Sequence, residues 1–252
     1  MAGHSKWKQI KHKKGANDSK RAKIFTKLIR ELVTATRQGG ADPTMNSRLR
    51  LAIQKAKDAN MPGDTLDKAV KRGSGDGEEE NYEEMVYEGY GPGGAGLIVE
   101  VLTDNKNRTA ADIRHIFSKF GGAMGAPGSV SYNFERVGQL FFSKTDYQED
   151  YLMELVMDSG ADDMRVDDEE YFEVNCVPEM FHAVREFFDE KSVTVEESGI
   201  VRRPKTKTRL AGDDLLRMFK LLNMMEDNDD VQEVYHNFDG DEQEIQKIME
   251  SF

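Results

Sequence analysis

The densest chemistry in this sequence is cationic. Lys6, Lys8, Lys11, Lys13, Lys14, Lys20, Arg21, Lys23, Lys27 and Arg30 crowd the first thirty residues, where Asp18 is the one acid. Clustered cations of this density suit a polyanion, because each phosphate they neutralise releases a condensed counterion. Trp7, the single tryptophan, lies among them and offers a ring on which an unpaired base can stack. Lysine in place of arginine points to contacts with the phosphate backbone and away from two-point reading of guanine edges. The expected contact set is therefore Lys6, Trp7, Lys8, Lys11, His12, Lys13, Lys14, Lys20, Arg21, Lys23, Lys27 and Arg30. The plainer reading is a solvated charge run. A mitochondrial transit peptide fits less well, since such peptides favour arginine and this run continues into a capped helix.

A second contact is expected in the body. Residues 121–130, GGAMGAPGSV, form a glycine-rich loop with Gly121, Gly122, Met124, Gly125 and Gly128. Lys106, Arg108 and Arg114 precede it and lend an acidic region local positive charge. Such loops often carry binding, and a plain connection is the equal alternative.

Other chemistries fall away. Gly89 to Gly94 fits G-x-G-x-x-G, but these glycines precede the strand-like LIVEVL; a dinucleotide site needs them to open a helix. They read as a hairpin turn. Glu100, Asp104 and Asp112 read as a turn and a cap, with no metal set among them. Asp162, Asp163, Asp167, Asp168, Glu169 and Glu170 surround an expected hairpin tip, too solvated for acid–base work. The run Asp227, Asn228, Asp229, Asp230 lacks the glycine of a calcium loop. Cys176 reads as a buried thiol, His115 as a helix residue with a partner, and the five histidines are scattered. The thirteen methionines read as core or adaptable interface. No catalytic residue, metal ligand or cofactor is expected, and the chain reads as a non-enzyme.

The charge balance sharpens the first reading. The 252 residues carry a net charge of −12. Residues 1–72 hold 18 basic and 6 acidic residues, a balance of +12, while the remainder holds 17 and 41, a balance of −24. A basic head on an acidic body suits a polyanion partner, with the body held away from it. One cysteine excludes a disulfide framework. No apolar run is long enough to span a membrane, and no apolar segment of secretory-signal type follows the basic start. A cytoplasmic monomer is expected, with no membrane and no small-molecule substrate.

These residues need elements to hold them. Residues 1–16 read as a basic arm and 17–73 as a three-helix bundle. The first helix is stopped by Gly39-Gly40, the second is capped by Asp42-Pro43, and the third spans about Thr65 to Arg72. Residues 74–82, acidic and glycine-rich, read as a linker. Strands follow at 84–90 and 97–103, then a helix at 109–120 opened by Thr109, and a strand at Ser129–Phe134. From Val137 the order is β-α-β-β-α-β, the ferredoxin-like pattern. A helix at 213–225 and a strand at 231–237 remain. The fold class is α+β and multi-domain: the bundle plus two α/β domains, the last inserted into the middle one. The middle domain then comprises 83–135 with 206–252 and the inserted one 136–205; a separate C-terminal appendage is the alternative.

The opening AGHSKWKQIKHKKGANDSKRAKIFTKLIRE resembles the start of the YebC family of probable transcriptional regulators, which includes the mitochondrial translational activators of cytochrome oxidase subunit one. So do NSRLRLAIQKAKDANMPGDTLDKAVKRGSG at 46–75, YEGYGPGGAGLIVEVLTDNKNRTAADIRHIFSKFGG at 87–122 and GSVSYNFERVG at 128–138. The resemblance implies three domains and a non-enzymatic, nucleic-acid-associated role. Some members are described as promoter-binding regulators, others as ribosome-associated translation factors that relieve stalling at proline runs. It carries Lys6 to Arg30 as the nucleic-acid contact and the 121–130 loop as a recognition element, and no catalytic or metal residue. DNA and rRNA both remain open as targets, with the ribosome as a further partner.

Overall fold

The computed structural model describes residues 18–75 and 81–250. The helices are α1 (Asp18–Gly39), α2 (Ser47–Asp58), α3 (Gly63–Gly73), α4 (Lys106–Lys119), α5 (Glu149–Ser159), α6 (Phe181–Glu190), α7 (Gly212–Glu226) and α8 (Glu242–Glu250). The strands are β1 (Glu83–Tyr90), β2 (Gly96–Thr103), β3 (Ala123–Met124), β4 (Phe134–Ser143) and β5 (Asp163–Arg165). They continue with β6 (Tyr171–Cys176), β7 (Glu197–Pro204), β8 (Thr208–Arg209), β9 (Val231–His236) and β10 (Phe238–Asp239). The chain divides into two compact units, one of residues 132–206 and one of the residues on either side. The expected basic arm and residues 76–80 of the expected linker lie outside the described residues.

In the larger unit, α1, α2 and α3 bury Leu32, Val33, Leu49, Ala52, Ala56 and Ala69 together. The alanines let the helices approach closely. At Gly73 an added Cβ would lie 2.7 Å from the Val33 carbonyl oxygen, so α3 meets α1 there through backbone. The cap of α2 is Asn46 and not Asp42. Asn46 Oδ1 accepts from the Leu49 N–H at 3.0 Å, and its Nδ2 donates to the carbonyls of Ala35 and Gly40, both at 2.8 Å. Asp42 instead closes the preceding turn on Thr44. Asn46 prevails because its amide has donors as well as an acceptor, and so also serves the end of α1.

The middle sheet runs β3-β1-β2-β9 and is antiparallel throughout. Helices α4 and α7 bury Ile113, Phe117, Leu215, Met218, Phe219 and Leu222 against Leu97, Val99, Val101 and Val234. Helix α4 starts at Lys106 under an Asn105 cap, with Thr109 a turn inside it. Helix α8 and the short parallel pair β8–β10 were not read from the sequence.

The expected strand at Ser129–Phe134 does not form. Ser131–Asn133 is a turn of 3-10 helix, and the third strand of the sheet is Ala123–Met124. The cause is Glu88, whose carboxylate takes the N–H groups of Val130 and Ser131 that a sheet ladder would need.

The smaller unit has strand order β5-β6-β4-β7, antiparallel, with α5 and α6 as its crossovers. This is the ferredoxin-like arrangement. Phe142 and Phe188 meet at 4.6 Å between ring centroids in its buried layer. A Cβ on Gly138 would lie 2.6 Å from Cys176 Sγ, so glycine admits the thiol and Phe181 onto the strand. The fold is α+β: a helical bundle and two α/β parts, the last inserted into the middle one.

Candidate nucleic-acid interface

Helix α1 carries its cations on two sides of the ledger of charge. Lys23, Lys27 and Arg30, spaced i, i+4 and i+7, fall on one face. All three reach the C-terminal end of α7 and the acidic turn after it. Lys23 Nζ donates to Asp227 Oδ1 at 2.9 Å, Lys27 Nζ to the Glu226 carbonyl at 2.7 Å, and Arg30 to Asp230 Oδ1 and the Asp229 carbonyl, each at 2.7 Å. Two attractions coincide there: the carboxylates, and the negative end of the α7 dipole with its unsatisfied carbonyls.

Asp230 is the centre of this contact. It is 4 % exposed. Besides Arg30 it receives Thr109 Oγ1 at 2.6 Å, Arg108 at 3.0 Å and Thr103 Oγ1 at 3.2 Å. Burial alone would raise its pKa, but the Thr109, Arg108 and Arg30 hydrogen bonds outweigh that and hold it below the ordinary aspartate range. Arg48 fastens the bundle at a second place, pairing with Glu31 at 2.8 Å and with Glu84.

The structure thus separates the expected contact set. Lys23, Lys27 and Arg30 are joined to the middle domain. Arg21 is exposed and donates to the Asn60 carbonyl at 3.3 Å, with its guanidinium 5.3 Å from the Phe25 ring centroid. Lys6, Trp7, Lys8, Lys11, His12, Lys13, Lys14 and the Lys20 side chain lie outside the described residues.

The 121–130 loop is built, not slack. Gly121 leaves α4 at φ +81°. A Cβ on Gly122 would lie 2.5 Å from the Tyr90 carbonyl, and one on Gly125 2.5 Å from Ser129 Oγ, so the loop lies against β1. Met124, in β3, pairs with Gly89 of β1. Glu88, 7 % exposed, accepts from the N–H groups of Gly128 at 2.8 Å, Val130 at 2.6 Å and Ser131 at 2.8 Å. Its burial pushes its pKa up, and the three backbone donors more than reverse this. The local positive charge expected beside the loop is mostly neutralised: Lys106 pairs with Glu83, and Arg108 with Asp104 and Asp230. Arg114 is exposed and has no ion pair among the described residues.

Cys176 is buried, and burial followed by the charge of Asp162 pushes its thiol up to about 11, the state of an unreactive cysteine. Asp168 accepts from the N–H groups of Glu170 and Tyr171, closing the β5–β6 hairpin. Among the described residues no cluster of His, Cys, Asp or Glu could hold a metal ion, and no helix is long and apolar enough to cross a membrane.

Known proteins match this arrangement over almost all of its length. The family model described as TACO1/YebC protein N-terminal domain matches residues 5–76, and that described as TACO1/YebC second and third domain matches residues 82–238. The chain belongs to the TACO1/YebC family. It is 47 % identical to a probable transcriptional regulatory protein of Persephonella marina, over 98 % of this chain and 100 % of that one. A protein of the same name from Geobacillus thermodenitrificans is 50 % identical, over 95 % and 97 %. The crystal structure of a conserved hypothetical protein, Aq1575, from Aquifex aeolicus superposes with a TM-score of 0.81 at 42 % identity, covering 89 % of this chain and 93 % of that one.

In this TACO1/YebC member the quoted family segments become α2 with α3, the β1–β2 hairpin with α4, and the join into β4. Reasoning from the sequence missed Asp230, Glu88 and Arg48. Asp230 had a signal: an acidic run just after a helix, opposite a helix bearing cations at i, i+4 and i+7. Glu88 had none, because its partners are backbone groups forty and more residues on.

Proposed function

We propose that this protein is a non-enzymatic, nucleic-acid-binding regulator of gene expression, acting as a cytoplasmic monomer. The contact is made by Lys6, Trp7, Lys8, Lys11, His12, Lys13, Lys14, Lys20 and Arg21. The observation that carries this reading is the division among the basic residues. Lys23, Lys27 and Arg30 have acceptors within the protein. That accounts for these three within the fold, and we assign the external anion to the earlier cations of the same run, whose density in the sequence suits a polyanion. Arg114 beside the ordered 121–130 loop is the lesser, second contact. The −24 balance after residue 72 discourages indiscriminate adsorption to nucleic acid.

The names of the relatives favour transcription, and we take DNA as the target that goes with it. A second reading, a translation factor on ribosomal or transfer RNA, is favoured by one feature of the bundle. Helix α3, which follows α2 after a short turn, exposes Asp64 and Asp67 in its first turns. Two carboxylates at that end suit a recognition helix in a major groove poorly.

Two measurements test the proposal. Affinity for a duplex or a structured RNA should fall about 10³-fold between 50 and 200 mM salt. The variant K11E/K13E/K14E should lose that binding while keeping its thermal midpoint; unchanged binding sinks the arm as the contact. In-cell crosslinking with sequencing of both nucleic acids then separates the readings, promoter enrichment supporting transcription and ribosomal RNA supporting translation.

A further inference from the structure

The smaller unit exposes an apolar face in a field of one sign. On α5, Leu152 and Val156 turn inward, while Met153 and Met157 lie one turn apart on the flank, 37 % and 78 % exposed. The helix ends at Gly160, in the left-handed region. A Cβ there would lie 3.3 Å from Met180 Cε, so Met180 continues the same surface. Val177, 44 % exposed, stands at the start of the Pro178–Met180 turn that carries Met180. Several exposed apolar side chains at one end of a unit mark contact surfaces, and methionine adapts its shape to an irregular partner.

The surroundings are acidic. Between Thr145 and Met164 the sequence has seven acids and no lysine or arginine. Asp150, Glu154 and Asp158 line the outer side of α5, and Glu179 sits beside Met180; all are exposed, and none has an ion pair among the described residues. Phosphates are repelled by such a field, and a cationic segment is drawn to it.

We propose that this face docks a basic amphipathic helix of a partner protein. Its apolar stripe covers Met153, Met157, Met180 and Val177, and its lysines or arginines meet Asp150, Glu154, Asp158 and Glu179. This is the helix-in-groove mode, with charge setting the orientation. The acidic body then has a positive role beyond repelling nucleic acid.

The test is fluorescence anisotropy with the full chain and a labelled amphipathic helix of leucine and lysine. A leucine–glutamate helix and a lysine–serine peptide without an apolar face serve as controls. The leucine–lysine helix should bind, and M153S/M157S should weaken it about tenfold or more with an unchanged thermal midpoint. E154K/D158K should weaken it independently, and both control peptides should bind far less. Equal affinity for M153S/M157S, or for the lysine–serine peptide, overturns the proposal. So does tighter peptide binding by K11E/K13E/K14E, which would make the protein's own basic arm the occupant. Sedimentation showing a dimer that M153S/M157S dissociates overturns it in favour of a second copy.

Discussion

Asp230 and Glu88 are both buried carboxylates of the middle domain, one just before β9 and one near the end of β1, and they are satisfied by different chemistry. Asp230 meets two guanidinium groups and two hydroxyls drawn from α1, α4 and β2. Glu88 meets three backbone N–H groups of one loop. A carboxylate held by side chains from several elements ties those elements together. A carboxylate held by consecutive amides fixes the path of a single segment. The first contact seats the bundle on the sheet; the second shapes the loop.

The largest effect should come from Asp230→Ala. Removing this acceptor leaves Arg30 with only backbone carbonyls as acceptors, Arg108 with the exposed Asp104 and the Thr109 hydroxyl without its carboxylate, and unfolding in urea should show a loss of about 3–5 kcal/mol. A loss below about 1 kcal/mol would break the comparison, because the carboxylate that joins several elements would then matter less than the one that holds a single loop. Exchange at the amides of Gly128, Val130 and Ser131 should stay slow in this variant.

Glu88→Ala should do the reverse. It leaves three loop N–H groups to find water, at a cost of about 1–3 kcal/mol. The amides of Gly128, Val130 and Ser131 should exchange faster, with the α1 amides unaffected. Glu88→Gln keeps an acceptor oxygen and should fall between. Slowed or unchanged exchange in Glu88→Ala would show that the loop is held by Tyr90, whose hydroxyl donates to the Ser129 carbonyl at 2.6 Å.

The two carboxylates also show what sequence can and cannot display. Helices α1 to α7, the β1–β2 hairpin and the ferredoxin-like order were legible because each follows from local periodicity and turn residues. The basic run Lys6–Arg30 was legible as a charge cluster. Its division was not, because the partners of Lys23 and Lys27 lie about two hundred residues away. The strand expected at Ser129–Phe134 had the right alternation and still failed, since Glu88 had claimed its donors. The cap at Asn46 was hidden by the stronger-looking Asp42-Pro43. Local pattern sets the elements; the polar contacts between them depend on which distant groups meet.

Acidification should weaken both carboxylate contacts. Both have folded-state pKa values below their ordinary range. Each stabilising contribution is therefore complete above the unfolded carboxylate pKa, about 4, and is lost as pH falls through the lower folded value. A urea series from pH 6 downward should show stability declining below about pH 4. Asp230→Asn and Glu88→Gln should each flatten part of that decline. An undiminished slope in both would place the acid sensitivity elsewhere.

The smallest effect belongs to the rim of the α1 contact. Lys23 and Asp227 are 42 % and 56 % exposed in their side chains, so solvent screens the pair and Lys23→Ala should cost only about 0.2–1 kcal/mol. That small cost should shrink further at high salt, whereas the cost of Asp230→Ala should barely change, because the Arg30–Asp230 pair is 16 % and 6 % exposed. The same salt series reads the function. Lys23→Ala should leave the salt slope of nucleic-acid binding unaltered, since this cation already has its acceptor inside the protein. A slope reduced by about one unit would mean that Lys23 exchanges Asp227 for a phosphate on binding, and that the contact seating the bundle is itself opened by the ligand.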